Sequence, residues 1–293
     1  MIRRLLGLGE KSRKGMLILV PFRYKYPHLS EFKNLCVMAF RVLTFNMQFG
    51  QSWNEENSNS GCISLPATTE FLQEQEADVI LLQEVEQARP EGLQIEPPQN
   101  YTWLRQAFPE MQSVFAYPPV NSDELPFGIA LAIFAKTPLK DFFSEILPAP
   151  SLQFEFESKK VKPTPRQLIG VTTFFGKREV RILNTHLQAF FMIYATSNDY
   201  PQQRNEVEKI LRETSLPTIL GGDFNCGPGE DVVEQFRNAG FATSQNSIPT
   251  WRRRPYVLDH IFYNAFFRKT KSAVLPTPCS DHHAVLAEFE FTF

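Results

Sequence analysis

The sequence predicts a mixed α/β domain, on three observations. Short β-branched and aromatic runs recur along most of the chain, bounded by turn residues. Segments with helical periodicity lie between several of them. Phe is abundant at 27 residues, and the 22 prolines outnumber the 14 glycines. That balance favours a strand-rich, loop-rich domain over a helical bundle.

The elements follow in order. A strand is predicted over 40–45, then a helix over 64–76, where Leu65, Thr68, Phe71 and Leu72 share one side. Residues 79–82 read as the next strand. A long strand-rich middle holds runs at 129–134, 168–175 and 180–183. A helix over 202–213 places Val207, Ile210 and Leu211 opposite charges. Strand 218–220 follows, then a helix over 231–239 opened by a Pro-Gly-Glu-Asp turn. Runs at 257–263 and 284–293 complete the series. Both crossover and hairpin connections are implied. The Pro/Gln/Glu-rich stretches 87–100 and 144–165 read as long surface loops.

With 43% apolar and 21% charged residues, the 293-residue chain can bury a large core, which excludes wholesale disorder. No repeat or composition break marks a second domain, so 38–293 reads as one domain and 1–37 as an N-terminal extension. Met38 is an alternative start, since MAFRVLTFN opens directly on a strand. The basic MIRRLLGLGEKSRK and apolar MLILVPF resemble a short leader, but a small-x-small cleavage site is missing. No apolar run approaches the roughly 20 residues that cross a bilayer. Four cysteines lie far apart with no CxxC pair, which argues against a disulfide framework and a cysteine-built zinc site. A cytoplasmic monomer is the expectation, with secretion the alternative. The net charge of -2 supplies no overall positive field for nonspecific nucleic-acid binding.

The polar residues at strand tips carry the functional reading. Apolar runs lead into Asn46, Glu84, His186 and Asp223-Phe-Asn225; Asp259 heads a strand, and Ser280 precedes Asp281 and His282 before the last run. Taken singly, each has an ordinary explanation. Asn and Asp after strands are turn formers, Glu84 could start a solvated loop, and His186 could be a satisfied core histidine. Gly221 and Gly222 before Asp223 would let the backbone approach a ligand closely or adopt positive φ. The joint occurrence, in this order, is hard to attribute to turn chemistry.

The motifs are LTFN at 43–46, LLQEV at 81–85, NTHLQA at 184–189, GGDFN at 221–225, LDHIF at 258–262 and SDHHAV at 280–285. This set resembles the endonuclease/exonuclease/phosphatase superfamily over about residues 38–293. GIALAIFAKTPL at 128–139 and Arg166 before its strand add to the likeness. The resemblance implies a four-layer sandwich, two mixed β-sheets packed face to face with helices outside. His260, where many relatives have Tyr or Arg, and His283-Ala284 after SDH depart from the usual pattern without removing a catalytic group.

The resemblance also implies roles. Phosphate ester cleavage needs a cation for the phosphoryl oxygens, a base for water and help for the leaving oxygen. Hard oxygen ligands imply Mg²⁺, with Mn²⁺ or Ca²⁺ as alternatives. Glu84 would be the main carboxylate ligand, with Asn46 beside it and Asp281 on the same or a second ion. His282 would be the general base or contact the scissile phosphate, oriented by Asp259. Asp223 would handle a proton on water or the leaving group, Asn225 would hold a phosphoryl oxygen, and His186 would donate to the same oxygens. Arg166 and the Arg252, Arg253, Arg254 run would bind substrate, although a solvated charge run reads equally well. THLQA resembles the sphingomyelinase-like branch, and the apolar 190–194 beyond it could contact lipid or start a buried helix. Three readings stand: a phosphodiesterase or phosphatase on a small or lipid ester, a nuclease on DNA or RNA, and a non-catalytic binder of phosphorylated ligands.

Overall fold

Strands whose two faces are both covered read as continuous apolar runs, because neither side needs to be polar. In the computed structural model these runs form the middles of two sheets. Residues 39–58, 60–87, 94–118, 128–156 and 158–292 are described. The expected 1–37 extension, the leader-like segment and Met38 lie outside them.

The first sheet holds β1 (Phe40–Asn46), β2 (Val79–Gln87), β3 (Gln112–Ala116), β4 (Gly128–Ala135), β13 (Phe267–Leu275) and β14 (Ala284–Phe291), ordered β13-β14-β1-β2-β4-β3. The second holds β5 (Lys140–Ile146), β8 (Gln167–Phe175), β9 (Arg178–His186), β10 (Thr218–Asp223), β11 (Phe241–Thr243) and β12 (Asp259–Asn264), ordered β11-β12-β10-β9-β8-β5. A small hairpin pairs β6 (Phe154–Phe156) with β7 (Lys159–Val161). Each large sheet is antiparallel except for one parallel pair near its centre, β1 with β2 and β9 with β10.

The sheets pack face to face over a core that includes Val42, Leu81, Ile133, Val171, Ile182, Ile219 and Val285. Outside the first sheet, Leu72 of α1 (Leu65–Glu74) and Leu104 of α2 (Gln99–Ala107) cover Leu43, Phe45 and Leu82. Outside the second, Val207 and Leu211 of α3 (Gln202–Glu213) and Phe236 of α4 (Val232–Asn238) cover Leu183, Leu220 and Phe262. The result is the expected sandwich of α, β, β and α layers. Ser64 caps α1 by accepting from the Ala67 N–H. Among the described residues, no helix is long and apolar enough to cross a membrane.

Some expectations need correction. The 144–165 stretch is not one loop, because it contains the end of β5 and the β6–β7 hairpin. Likewise 87–100 runs into α2 at Gln99. Strand 257–263 starts two residues later, at Asp259. Of the two alternatives for the glycine pair, Gly222 takes the positive φ, at 157°, and both glycines allow close packing that needs no ligand to explain it. A Cβ on Gly221 would lie 2.4 Å from Leu81 of the facing sheet, and one on Gly222 would lie 2.1 Å from the Thr185 carbonyl oxygen.

A buried polar bridge fastens the sheets beside that close approach. The Asn184 side chain on β9 donates to the carbonyls of Leu82 and Ala132 in the other sheet, at 2.9 and 3.0 Å. It accepts from Gln83 at 2.7 Å, and Gln83 also donates to Thr44 at 3.0 Å. Replacing Asn184 with Leu removes these bonds in a dry interior, where each unsatisfied group costs about 1–3 kcal/mol. The expected loss in Asn184→Leu is about 3 kcal/mol or more by urea denaturation. An unchanged midpoint would show that the bridge does not fasten the sheets.

Candidate active site

The two parallel pairs end at the same edge of the sandwich, and their last residues are polar. Asn46 is the final residue of β1, His186 of β9 and Asp223 of β10. Asp223 lies opposite His186 on one neighbour and Asp259 on the other. Glu84 falls in a β-bulge, where the register of β2 against β4 shifts between Gln83 and Glu86. Its φ of 49° is left-handed, a conformation that costs a non-glycine residue about 1–2 kcal/mol. Such strain persists where the surroundings over-determine it, and it turns Glu84 towards the Asn46 side chain.

Short contacts link residues far apart in sequence. The Asn46 amide donates to Glu84 at 3.1 Å and to Asp223 at 3.0 Å. His186 Nε2 lies 3.4 Å from Asp223 and 3.9 Å from Glu84. Arg166, buried at the head of β8, reaches His186 Nδ1 at 3.0 Å. His282 Nδ1 meets Asp259 at 2.8 Å, and its Nε2 faces Asp223 at 3.8 Å. Ser280 ties this turn to β1 by donating to the Asn46 carbonyl and accepting from the His282 N–H. The Thr250 hydroxyl accepts from the N–H of Leu258 and of Asp259.

These contacts assign protons. A guanidinium can only donate, so His186 Nδ1 accepts and the ring proton sits on Nε2. Burial and the nearby Arg166 charge push His186 down to about 4, so it is a neutral donor at neutral pH. His282 is the opposite case. Burial opposes its charge, but Asp259 and Asp223 outweigh that and raise it to about 10. Burial pushes the Asp259 carboxyl up, while the imidazolium beside it pulls the other way. The pair shares one proton. It sits on His282, because Asp223 also faces that ring. For Asp223, burial is outweighed by the His282 charge and the His186 hydrogen bond, which hold the carboxyl well below its usual range.

Glu84 differs. Burial, then the Asp281 charge, push it up to about 7. The Glu84 side chain is 18% exposed, while Asp281 pairs with Arg253 at 2.7 Å. The hard-oxygen donors that the sequence expects to hold a Mg²⁺-like ion are Glu84, Asp281 and Asn46, and the Asn46 side-chain oxygen accepts from the Gln48 N–H at 3.1 Å. Asp223, Asp259 and His282 also place donor atoms within 4.8 Å of one another. There the imidazole Nδ1 is already bonded to Asp259, so that trio is a proton-sharing chain and a poor metal site.

The arginine run is not an open clamp. Arg252 pairs with Glu55 and donates to the Thr277 carbonyl at 2.8 Å. Arg253 donates to Asp281 at 2.7 Å and to Ser58, and both guanidiniums lie over the Trp53 ring. Arg254 is exposed beside Tyr256. Asn225 is left-handed, with φ 46°; its N–H donates to Asp223 and its amide to the Leu187 carbonyl. His260 stays buried among Phe224 and Phe262, and burial lowers it to about 4. His283 Nδ1 accepts from the Thr277 N–H at 3.3 Å. In the apolar 190–194 segment Phe190 is buried, as the buried-start reading expects, and Met192 and Tyr194 are exposed. Sequence reasoning missed three supports: Ser280, Thr250, and Trp251, whose indole N–H donates to Asp281 at 3.3 Å. Ser280 stood inside a quoted motif, but nothing local distinguishes a hydroxyl that bonds across the fold.

A family model described as the Endonuclease/Exonuclease/phosphatase family matches residues 43–282. Among curated proteins, the chain is 34% identical over 97 residues to the UPF0294 protein VV2535 of Vibrio vulnificus strain YJ016. That match spans 31% of this chain and about a third, 34%, of the relative. An endonuclease/exonuclease/phosphatase from Beutenbergia cavernae superposes with TM-score 0.63 at 19% identity, over 86% of this chain and 72% of the other. The Bacteroides thetaiotaomicron mannosyl-6-phosphatase superposes with TM-score 0.59 at 17% identity, over 86% of this chain and 100% of the other. At these identities the structures share the fold.

A stability test isolates Glu84. Its pKa is higher folded than the ordinary 4.5, so between 4.5 and about 7 the folded state holds the extra proton. Stability therefore falls as pH rises through that window. In chelator-treated protein at pH 8, Glu84→Gln should be more stable than wild type by on the order of 2 kcal/mol, with the wild-type slope flattened. A less stable variant at pH 8 would contradict the assignment.

Proposed function

The chain belongs to the endonuclease/exonuclease/phosphatase family, whose members hydrolyse phosphate esters, and we propose that it is a divalent-metal-dependent phosphoric ester hydrolase. The reading rests most on one observation: Asn46, Glu84, His186, Asp223, Asp259 and His282 form a connected set of polar contacts. In this proposal residues 38–293 are the catalytic domain, and Glu84, Asn46 and Asp281 hold Mg²⁺, with Mn²⁺ or Ca²⁺ as substitutes. Such an ion, when bound, offsets charge on the phosphoryl oxygens.

The chain's own residues do the rest. Asp223 is ionised, so it orients the attacking water and accepts its proton as the bond to phosphorus forms. His186 would turn its Nε2–H from Asp223 to a phosphoryl oxygen of bound substrate, and Arg166 keeps that tautomer in place. His282 is an imidazolium, so of its two roles the contact with the scissile phosphate suits it better than that of base. It can then give its Nε2 proton to the leaving oxygen, with Asp259 stabilising the charge throughout. Asn225, fixed by Asp223 and Leu187, lies at the same edge and would orient a phosphoryl oxygen.

The substrate we favour is a small-molecule or lipid phosphate ester. Arg252 and Arg253 are engaged within the chain, and the net charge is -2, so a basic track for a polynucleotide is not built from them. A nuclease is the alternative.

Release of p-nitrophenol from bis(p-nitrophenyl) phosphate with Mg²⁺ is the first measurement. It should cease with chelator and in Glu84→Ala, and His282→Gln should slow turnover roughly 10²- to 10⁴-fold. No release at any divalent ion concentration would leave the phospholigand binder as the better reading. Sphingomyelin, inositol phosphates and plasmid DNA then divide the enzymes. Cleaved plasmid with intact small and lipid esters would make the protein a nuclease.

A further inference from the structure

A short 3-10 turn, Phe190–Ile193, begins four residues after His186. Its inner side is fixed: Phe190 is buried and stacks on Tyr200 at 5.6 Å, and Phe191 packs against Trp251 and Tyr256. Trp251 in turn bridges to His282, with ring centroids 6.5 Å apart. The outer side points into water. Met192 is 52% exposed and Tyr194 is 103% exposed. Arg254 is exposed at the adjoining rim, over the Tyr256 ring.

Single exposed apolar residues are ordinary. Two on one anchored turn, with Phe191 of that turn packed on Trp251 beside a site histidine and on Tyr256 beneath an exposed guanidinium, are a different arrangement. A Tyr and a long apolar side chain suit the headgroup–acyl boundary, and a guanidinium suits the phosphates of that boundary. We propose that Met192 and Tyr194, with Arg254 at the rim, form an interfacial surface that seats the site on a phospholipid bilayer. The substrate's phosphate would then be presented by lipid headgroups. This rests on the reading of the site as a phosphate ester hydrolase.

Cosedimentation of the full chain with phosphatidylcholine vesicles tests the surface without catalysis, and neutral lipid removes bulk charge attraction. Wild type should bind. Met192→Ser/Tyr194→Ser should weaken binding roughly tenfold or more, and Tyr194→Trp should tighten it. Neither change should alter turnover of the soluble bis(p-nitrophenyl) phosphate. Wild type that ignores vesicles, or a double variant that binds them equally, overturns the proposal. So does a double variant that loses affinity for a single-stranded oligonucleotide and keeps it for vesicles. Vesicle binding without release of p-nitrophenol would leave the surface standing and refute the hydrolase. Release without vesicle binding would do the reverse.

Discussion

The close approach of two sheets at Gly221 is the constraint on which the rest depends. Leu81 and Thr44 occupy the space a side chain there would need. Beside it Asn184 spends its amide on two carbonyls of the opposite sheet and its oxygen on Gln83. An apolar interface alone would let the sheets slide, because hydrophobic contact is non-directional. A satisfied amide in a dry interior fixes register, since each lost bond leaves an unpaired group behind. Registry matters because the site is split. Asn46 and Glu84 come from one sheet, and His186, Asp223 and Asp259 from the other.

Unequal charge at that seam follows from packing. Four carboxylates lie there with two imidazoles and one buried guanidinium, and they do not behave alike. Asp223 stays ionised because donors and an imidazolium surround it. Glu84 is pushed the other way because burial and Asp281 face it and Arg166 only partly offsets them. The carboxyl group thus supplies an ionised acceptor in one place and a group pushed towards its neutral form in another. The bulge that strains Glu84 belongs to the same arrangement: regular β geometry would alternate it with Gln83, and the left-handed backbone breaks that alternation.

Legibility in the sequence divides along the same physical line as burial. The runs read as strands are the interior members of both sheets, β14, β1, β2 and β4 in one and β12, β10, β9 and β8 in the other. The edges, β13, β3, β11 and β5, went unread. Two edge strands face water with charged residues, as FRKTKSAVL and KDFFSEI show, and the other two, QSVFA and FAT, are short, so their apolar signal fades. The helix α2 was missed for a related reason: its sequence QNYTWLRQA buries only Leu104.

By itself the sequence determined which chemical groups stand at the ends of apolar strands, and therefore the layers, the family and the residues to inspect. Those facts are local, because a run of β-branched residues and the polar residue closing it are neighbours in the chain. Only the tertiary structure decided what each group does electrically. That His186 is a neutral Nε2–H donor depends on Arg166, that Asp281 is held by Arg253 depends on a loop from 250 onwards, and that Asn46 touches Asp223 spans 177 positions. Proton placement answers to distance and burial, and neither is written in the order of residues.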